Sequence, residues 1–227
     1  MRSEQKVTRT RHRRATEIRR PVLMQALRTR ILIVCEGAKT EPHYFEDIRL
    51  HSRTGASDIQ ICGKECGSAP ISVVNYAEQR WMEANKDFDQ IFCVFDRDRH
   101  DSFDQALARV QALNKHGFTA IYSYPSFEYW LLLHFGYTRK SFVAQVSRSA
   151  GDLVEKDLSN HFVETFGVSY QKGMKNVFTR LQDRLAAADM AARQALKDAS
   201  QTQEPNPSTR VHELVAVLLT HSHSAKN

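Results

Sequence analysis

Two runs of five consecutive apolar residues, Ile31-Leu-Ile-Val-Cys35 and Ile91-Phe-Cys-Val-Phe95, constrain this chain more than any other feature. Each has the length of a strand, neither alternates polar with apolar, and each stops at acid. Glu36-Gly37 follows the first, and Asp96-Arg97-Asp98 follows the second. A strand that is apolar on both sides must be covered on both faces, the condition of a parallel sheet held between helices. The intervening segments supply the covers. Thr40 can cap a helix that begins at Glu41, with Pro42 tolerated in its first turn and Tyr44, Phe45 and Ile48 as its apolar face. A shorter strand is expected at 58–62 and a second helix at 71–86. A third helix carries Phe103, Leu107, Val110 and Leu113 as far as Gly117, and a last strand follows at 118–122. This βαβαβαβ order predicts an α/β protein with a parallel sheet and right-handed crossovers.

After Pro125 the pattern becomes helical, with helices expected at 127–135, 142–146, 153–166 and 177–196. A Pro/Asn/Ser linker at 201–208 precedes a final helix capped by Ser208 or Thr209. The expected organisation is therefore a basic arm at 1–29, an α/β core at 30–125 and a mainly helical extension at 126–227 packed on that core.

Charge separates the arm from the rest. The chain holds 32 Lys+Arg against 26 Asp+Glu, a net charge of +6. Residues 1–30 contain ten basic and two acidic side chains, a balance of +8, so residues 31–227 carry −2. The arm, with Arg11, Arg13 and Arg14 at its centre and almost no apolar content before Pro21, reads as a segment disordered until it grips phosphates. There is no apolar stretch of membrane-spanning length, and the basic N-terminus lacks the apolar region of a secretory signal, so a cytoplasmic protein is expected. Cys35 and Cys93 fall inside the apolar runs and read as buried thiols. Cys62 and Cys66 flank a turn, but no second Cys/His pair at zinc-finger spacing follows, so a four-ligand zinc site is not expected.

The chemistry gathers at the strand ends. In an extended chain residues i and i+2 point the same way, so Asp96 and Asp98 can converge. Open α/β sheets bind ligands beyond the carboxyl ends of their strands, where Glu36 falls as well. Carboxylates crowded together repel unless a proton or a cation lies between them, and a hard cation with oxygen ligands, Mg²⁺ or Mn²⁺, is the natural partner. The plainer alternative is that they are solvated strand ends paired with Arg97 and Arg99. The Gly37-Ala-Lys39-Thr40 segment is not a P-loop, which needs adjacent Gly-Lys and an earlier glycine where Leu32 stands. It is a glycine turn onto a helix N-terminus, where Lys39 can meet a phosphate. Glu128 opens a helix just after the last core strand. It can approach the same edge, or simply favour a helix N-terminus through the macrodipole. Within that helix His134 is read as a packed core histidine, and His100 as a surface one.

Val34-Cys-Glu36-Gly-Ala-Lys39-Thr-Glu41 followed by Val94-Phe-Asp96-Arg-Asp98 resembles the Toprim pattern of a strand-end Glu and a strand-end Asp-x-Asp. Tyr124-Pro-Ser126-Phe-Glu128-Tyr-Trp130-Leu-Leu-Leu-His134-Phe135 and Asn206-Pro-Ser-Thr209-Arg-Val look like the RloB family, relatives of the abortive-infection component AbiLii. The resemblance spans about residues 30–220. It implies a Toprim-like (Rossmann-like) domain of the kind found in topoisomerases, primases and OLD-type nucleases, acting in bacterial defence against phage. The chain is too short for the breakage-reunion or primase modules of larger Toprim enzymes, so stand-alone nuclease chemistry on RNA, tRNA or DNA is the expected activity. Glu36, Asp96 and Asp98 would hold the metal, and Glu128 would join them in catalysis. Lys39, Arg97 and Arg99, with the arm's Arg11, Arg13 and Arg14, would bind phosphate. The rival expectation is a non-catalytic nucleic-acid-binding or sensing subunit that works with an ATPase.

Overall fold

In the computed structural model, residues 29–52, 58–97 and 101–224 are described, with side chains as far as residue 221. The basic arm, Asp98, Arg99 and His100 lie outside these residues, so what was read of them from sequence stays an expectation.

Four parallel strands, β1 (Ile31–Cys35), β2 (Ile59–Cys62), β3 (Gln90–Asp96) and β4 (Phe118–Tyr124), form the sheet, with a short antiparallel β5 (Ser208–Thr209) at one edge. The spatial order is β2-β1-β3-β4-β5. Among the described residues the fold is thus α/β with a mostly parallel five-stranded sheet between helices.

The apolar strands divide their side chains between two covers by simple alternation. Leu32, Val34, Ile91, Cys93 and Phe95 face α2 (Pro70–Glu83) and α3 (Phe103–Leu113). Ile31, Ile33, Cys35, Phe92, Val94 and Ile121 face a thicker layer. That layer holds α1 (Thr40–His51), α4 (Glu128–Leu132), α5 (Ala150–Phe166), α6 (Val177–Leu181), α7 (Leu185–Thr202) and α8 (Val211–Ser224). Since α1 leaves β1 on one face and α3 leaves β3 on the other, the chain diverges between two neighbouring strands. Such a switch point leaves a crevice at the carboxyl ends of the strands. No described helix is long and apolar enough to cross a membrane.

Several expectations fail for local reasons. Residues 142–146 are not helical. Of that segment only Phe142 and Ala144 avoid exposure, and the Asn206 amide pins the Phe142 backbone by accepting from its N–H (3.4 Å) and donating to its carbonyl (2.7 Å). The expected 177–196 helix is two helices separated by a 3₁₀ turn at Gln182–Arg184, and the second continues to Thr202, into the expected linker. At the end of that linker Ser208 and Thr209 pair with Tyr124 and Ser123, and the two hydroxyls of Ser123 and Thr209 lie 2.8 Å apart. Thr209 also accepts from the Val211 N–H (3.2 Å) at the start of α8. Thr40 does not cap α1 with its side chain. Its hydroxyl accepts instead from the Gly173 N–H at 3.0 Å.

Candidate functional site

Acids gather at the switch point. Glu36 follows β1 directly, its N–H continuing the ladder to the Val94 carbonyl (2.9 Å). Asp96 ends β3, and its N–H donates to Glu36 Oε2 at 3.0 Å, so the two strand ends are tied through a carboxylate. Glu128 begins α4 and is buried. A fourth acid, Glu41 in the first turn of α1, is buried beside them. It sits so close to the turn that a Cβ on Gly37 would fall 2.0 Å from its Oε2. Glycine at 37 is therefore what allows the carboxyl in.

These groups feel one another. Burial raises the Glu41 pKa to about 7; its own N–H and that of Gly37 oppose the rise, and the charges of Glu128 and Glu36 add to it. Burial also lifts Asp96 well above the usual carboxylate range. Glu41, Glu128 and Glu36 push it further, against the pull of the Phe127 N–H. A loop between α5 and α6 closes over this edge. Tyr170 Oη donates to Glu128 Oε1 in a long bond of 3.4 Å. Gly173 packs on the Lys39 side chain, its N–H on Thr40 and its carbonyl 2.9 Å from His43 Nδ1. Between them Lys172 stands 3.9 Å from Glu155. Burial works against its charge, but Glu128, Glu155 and Asp96 outweigh it and raise its pKa.

Of the residues named from sequence, the structure brings Glu36, Asp96 and Glu128 to one edge, with Lys39 exposed at its rim. Arg97 turns to the other side of β4, its guanidinium 5.0 Å from the Phe103 ring centre and 5.5 Å from that of Tyr124. Asp98, Arg99, Arg11, Arg13 and Arg14 lie outside the described residues. Sequence reasoning missed Glu41 as a site residue, because a glutamate in a first helical turn has an ordinary reason to be there. It also missed Tyr170 and Lys172, which approach from far along the chain without a motif. His134 lies in the core, its Nδ1 3.1 Å from the Trp130 carbonyl, and burial lowers its pKa to about 4. Cys66 Sγ donates to the Cys35 carbonyl (2.8 Å) and lies 3.0 Å from that of Gly63; all four cysteines are free and buried.

The donor set suits a hard cation: oxygen ligands only, with excess negative charge that binding would relieve. Among the described residues no three His, Cys, Asp or Glu side chains form a group that could hold a metal ion.

No curated protein and no solved structure matches the chain. The family model described as RloB-like protein matches residues 31–218, which runs from the first residue of β1 into α8 and contains every described acid of the crevice. The chain belongs to the RloB-like family.

Proposed function

We propose that this protein is a metal-dependent nuclease with a Toprim-like catalytic edge, acting on nucleic-acid phosphodiesters in anti-phage defence. The observation that carries the reading is the convergence of Glu36, Glu41, Asp96 and Glu128 at the switch point, where burial, and after it their mutual charge, raises the pKa of Glu41 and Asp96. A resting fold gains nothing from such crowding, and groups perturbed by burial and like charge in a crevice mark functional sites. Asp96, with Glu128 and Asp98, would hold Mg²⁺ or Mn²⁺. The ion, when bound, supplies charge neutralisation for the phosphoryl oxygens and acidifies a water. Glu36 fixes the relative position of the two strand ends through its bond to the Asp96 N–H. Glu41, with a pKa about 7, exchanges a proton near neutrality, the property required of a general acid or base. Lys39 and Lys172 supply cations at the rim for phosphate oxygens, and the arm adds salt-dependent affinity that is blind to sequence.

The test is to sequence RNA and DNA ends after induced expression of the wild type and of Asp96→Ala, and to incubate the purified chain with single-stranded, duplex and tRNA substrates in Mg²⁺ or Mn²⁺. Discrete new ends with wild type alone are expected, matched by metal-dependent cleavage in vitro. Binding without cleavage of any substrate would overturn the nuclease reading and favour the ATPase-partnered binding subunit.

A further inference from the structure

Beside the carboxylate edge lies a groove of about 700 Å³ that the proposed chemistry does not use. It is lined by Tyr124, the last residue of β4, by Pro125 just after it, and by Arg97, the residue after Asp96. The register of β3 and β4 pairs Asp96 with Ser123, so the groove opens one residue beyond Asp96 on β3 and one beyond Ser123 on β4. Its outer wall is the irregular segment 142–150, fixed by the Asn206 clamp on Phe142 and by the bridge between Gln145 and Arg148.

Three features of the groove identify its occupant. First, among the described residues the charged ones lining it are Arg97 and Arg148, both cationic, whereas the neighbouring strand ends are acidic. An anion would be drawn to the groove and repelled from the bare crevice, as suits a chain of phosphates passing a metal-dependent site. Second, Arg97 is prepositioned. Its N–H donates to the Ser123 carbonyl (2.7 Å), its guanidinium is held over the Phe103 and Tyr124 rings, and it makes no ion pair with a described acid. Third, the lining includes Val143 and Val146, which are 67% and 110% exposed, together with the aromatic Tyr124. Apolar and aromatic surfaces in a cationic cleft accept a flat, unpaired base. A base inside a duplex is already stacked on both faces and has no use for them.

We propose that this groove seats an unpaired nucleotide adjacent to the reacting phosphodiester, its base between Tyr124 and the exposed valines and its phosphate between Arg97 and Arg148. The assignment rests on the nuclease reading for what happens next door, and it makes single-stranded nucleic acid the substrate class. The sugar, ribose or deoxyribose, is left to the two arms of the test.

The experiment uses the full-length protein in EDTA, so that binding is read without cleavage. A single-stranded RNA oligonucleotide with a central 4-thiouridine, and its DNA counterpart with 4-thiothymidine, are photocrosslinked and the attached peptides mapped. Affinities for the same strands and for a hairpin duplex are measured by fluorescence anisotropy at near-physiological salt. Crosslinks at Tyr124 or within 142–149 are expected. Arg148→Gln and Tyr124→Leu should each weaken single-strand binding about five- to tenfold while leaving the hairpin, held by the arm, unchanged. The favoured arm names the sugar. Arg148 is exposed and its substitution leaves the fold intact, so the proposal stays decidable even if Tyr124→Leu fails to fold. Crosslinks confined to other segments, unchanged single-strand affinity in Arg148→Gln, or equal losses for strand and hairpin would overturn it. Crosslinks in the groove without cleavage in any metal would remove the nuclease and keep the groove; cleavage with a silent groove would do the reverse.

Discussion

The two faces of the sheet are built in different ways. One is covered by α2 and α3, each a direct crossover between strands that are consecutive in sequence and neighbour or nearly neighbour in the sheet. The other is covered by α1 and by nearly everything after Ser126, and its buried cluster joins residues from Ile31 to Leu218. The second face reaches the carboxylate edge. Trp130 of α4 donates its indole N–H to Tyr44 Oη of α1 at 2.8 Å, and Phe127 packs edge-on against both Tyr44 and Phe45. That contact sets α1, which carries Glu41, against α4, which carries Glu128. The crossover face thus holds the sheet, whereas the opposite face holds the acids in register as well.

The largest expected effect tests this division. Trp130 is fully buried, and Trp130→Ala should cost about 4 kcal/mol by urea denaturation, through a cavity and an orphaned Tyr44 hydroxyl. Leu113→Ala, at the end of α3 on the other face, should cost about 2 kcal/mol. The milder Trp130→Phe separates stability from positioning, because it keeps most of the packing and loses the hydrogen bond. Its cleavage activity should fall more than its stability. If instead activity simply follows stability for substitutions on both faces, the contrast between them is lost.

A second prediction opposes the crowded edge to the core of the same face by pH. Glu41 holds its proton more tightly folded (about 7) than a free glutamate does (4.5). Between these values the folded state binds more protons than the unfolded, so stability falls as pH rises, by on the order of 3 kcal/mol once pH exceeds 7. Glu41→Gln removes that loss: relative to wild type it should gain stability on going from pH 4 to pH 8, while losing cleavage. His134 has the opposite sign. Its folded pKa is depressed to about 4 from 6.5, so the unfolded state binds the extra proton and stability falls as pH drops through that window. His134→Gln should therefore flatten the acid side of the stability profile, and Glu41→Gln the neutral side. The same tilt from both variants in thermal melts across pH 4–8 would show that the edge is not electrostatically frustrated.

Legibility follows the same division. The strands and crossover helices could be read because burial on both faces leaves an unbroken apolar run and burial on one side leaves a helical stripe. Glu36 and Asp96 stood out because acid directly after such a run has no packing explanation. Glu41 did not, since a glutamate in a first helical turn already has an ordinary reason to be there; its distinguishing feature is the missing Cβ of Gly37, a contact in space. Tyr170, Lys172 and Gly173 were illegible because their partners lie far off in the chain, Glu128 42 positions from Tyr170 and His43 and Thr40 130 and 133 from Gly173, and no local period encodes those meetings. The failed helix at 142–146 has the converse cause: the segment has helical spacing, but only Phe142 finds a core and the Asn206 amide holds its backbone extended.

The smallest expected effect probes the loop that closes the edge. Lys172 is more than half exposed, so solvent screens its attraction to Glu128, Glu155 and Asp96, and Lys172→Gln should cost less than about 1 kcal/mol near pH 8. The cost must depend on the charge it faces. Lysine is protonated in folded and unfolded chains alike throughout pH 4–8, so any change over that range comes from the carboxylates, which lose their charge toward acid. The deficit of Lys172→Gln should accordingly vanish near pH 4. Millimolar Mg²⁺ at pH 8 should narrow it as well, because a divalent cation among the same oxygens takes over the neutralisation that the lysine supplies. A deficit that stays constant across pH and ignores Mg²⁺ would mean that Lys172 acts only by packing, and that the loop covers the edge without sensing its charge.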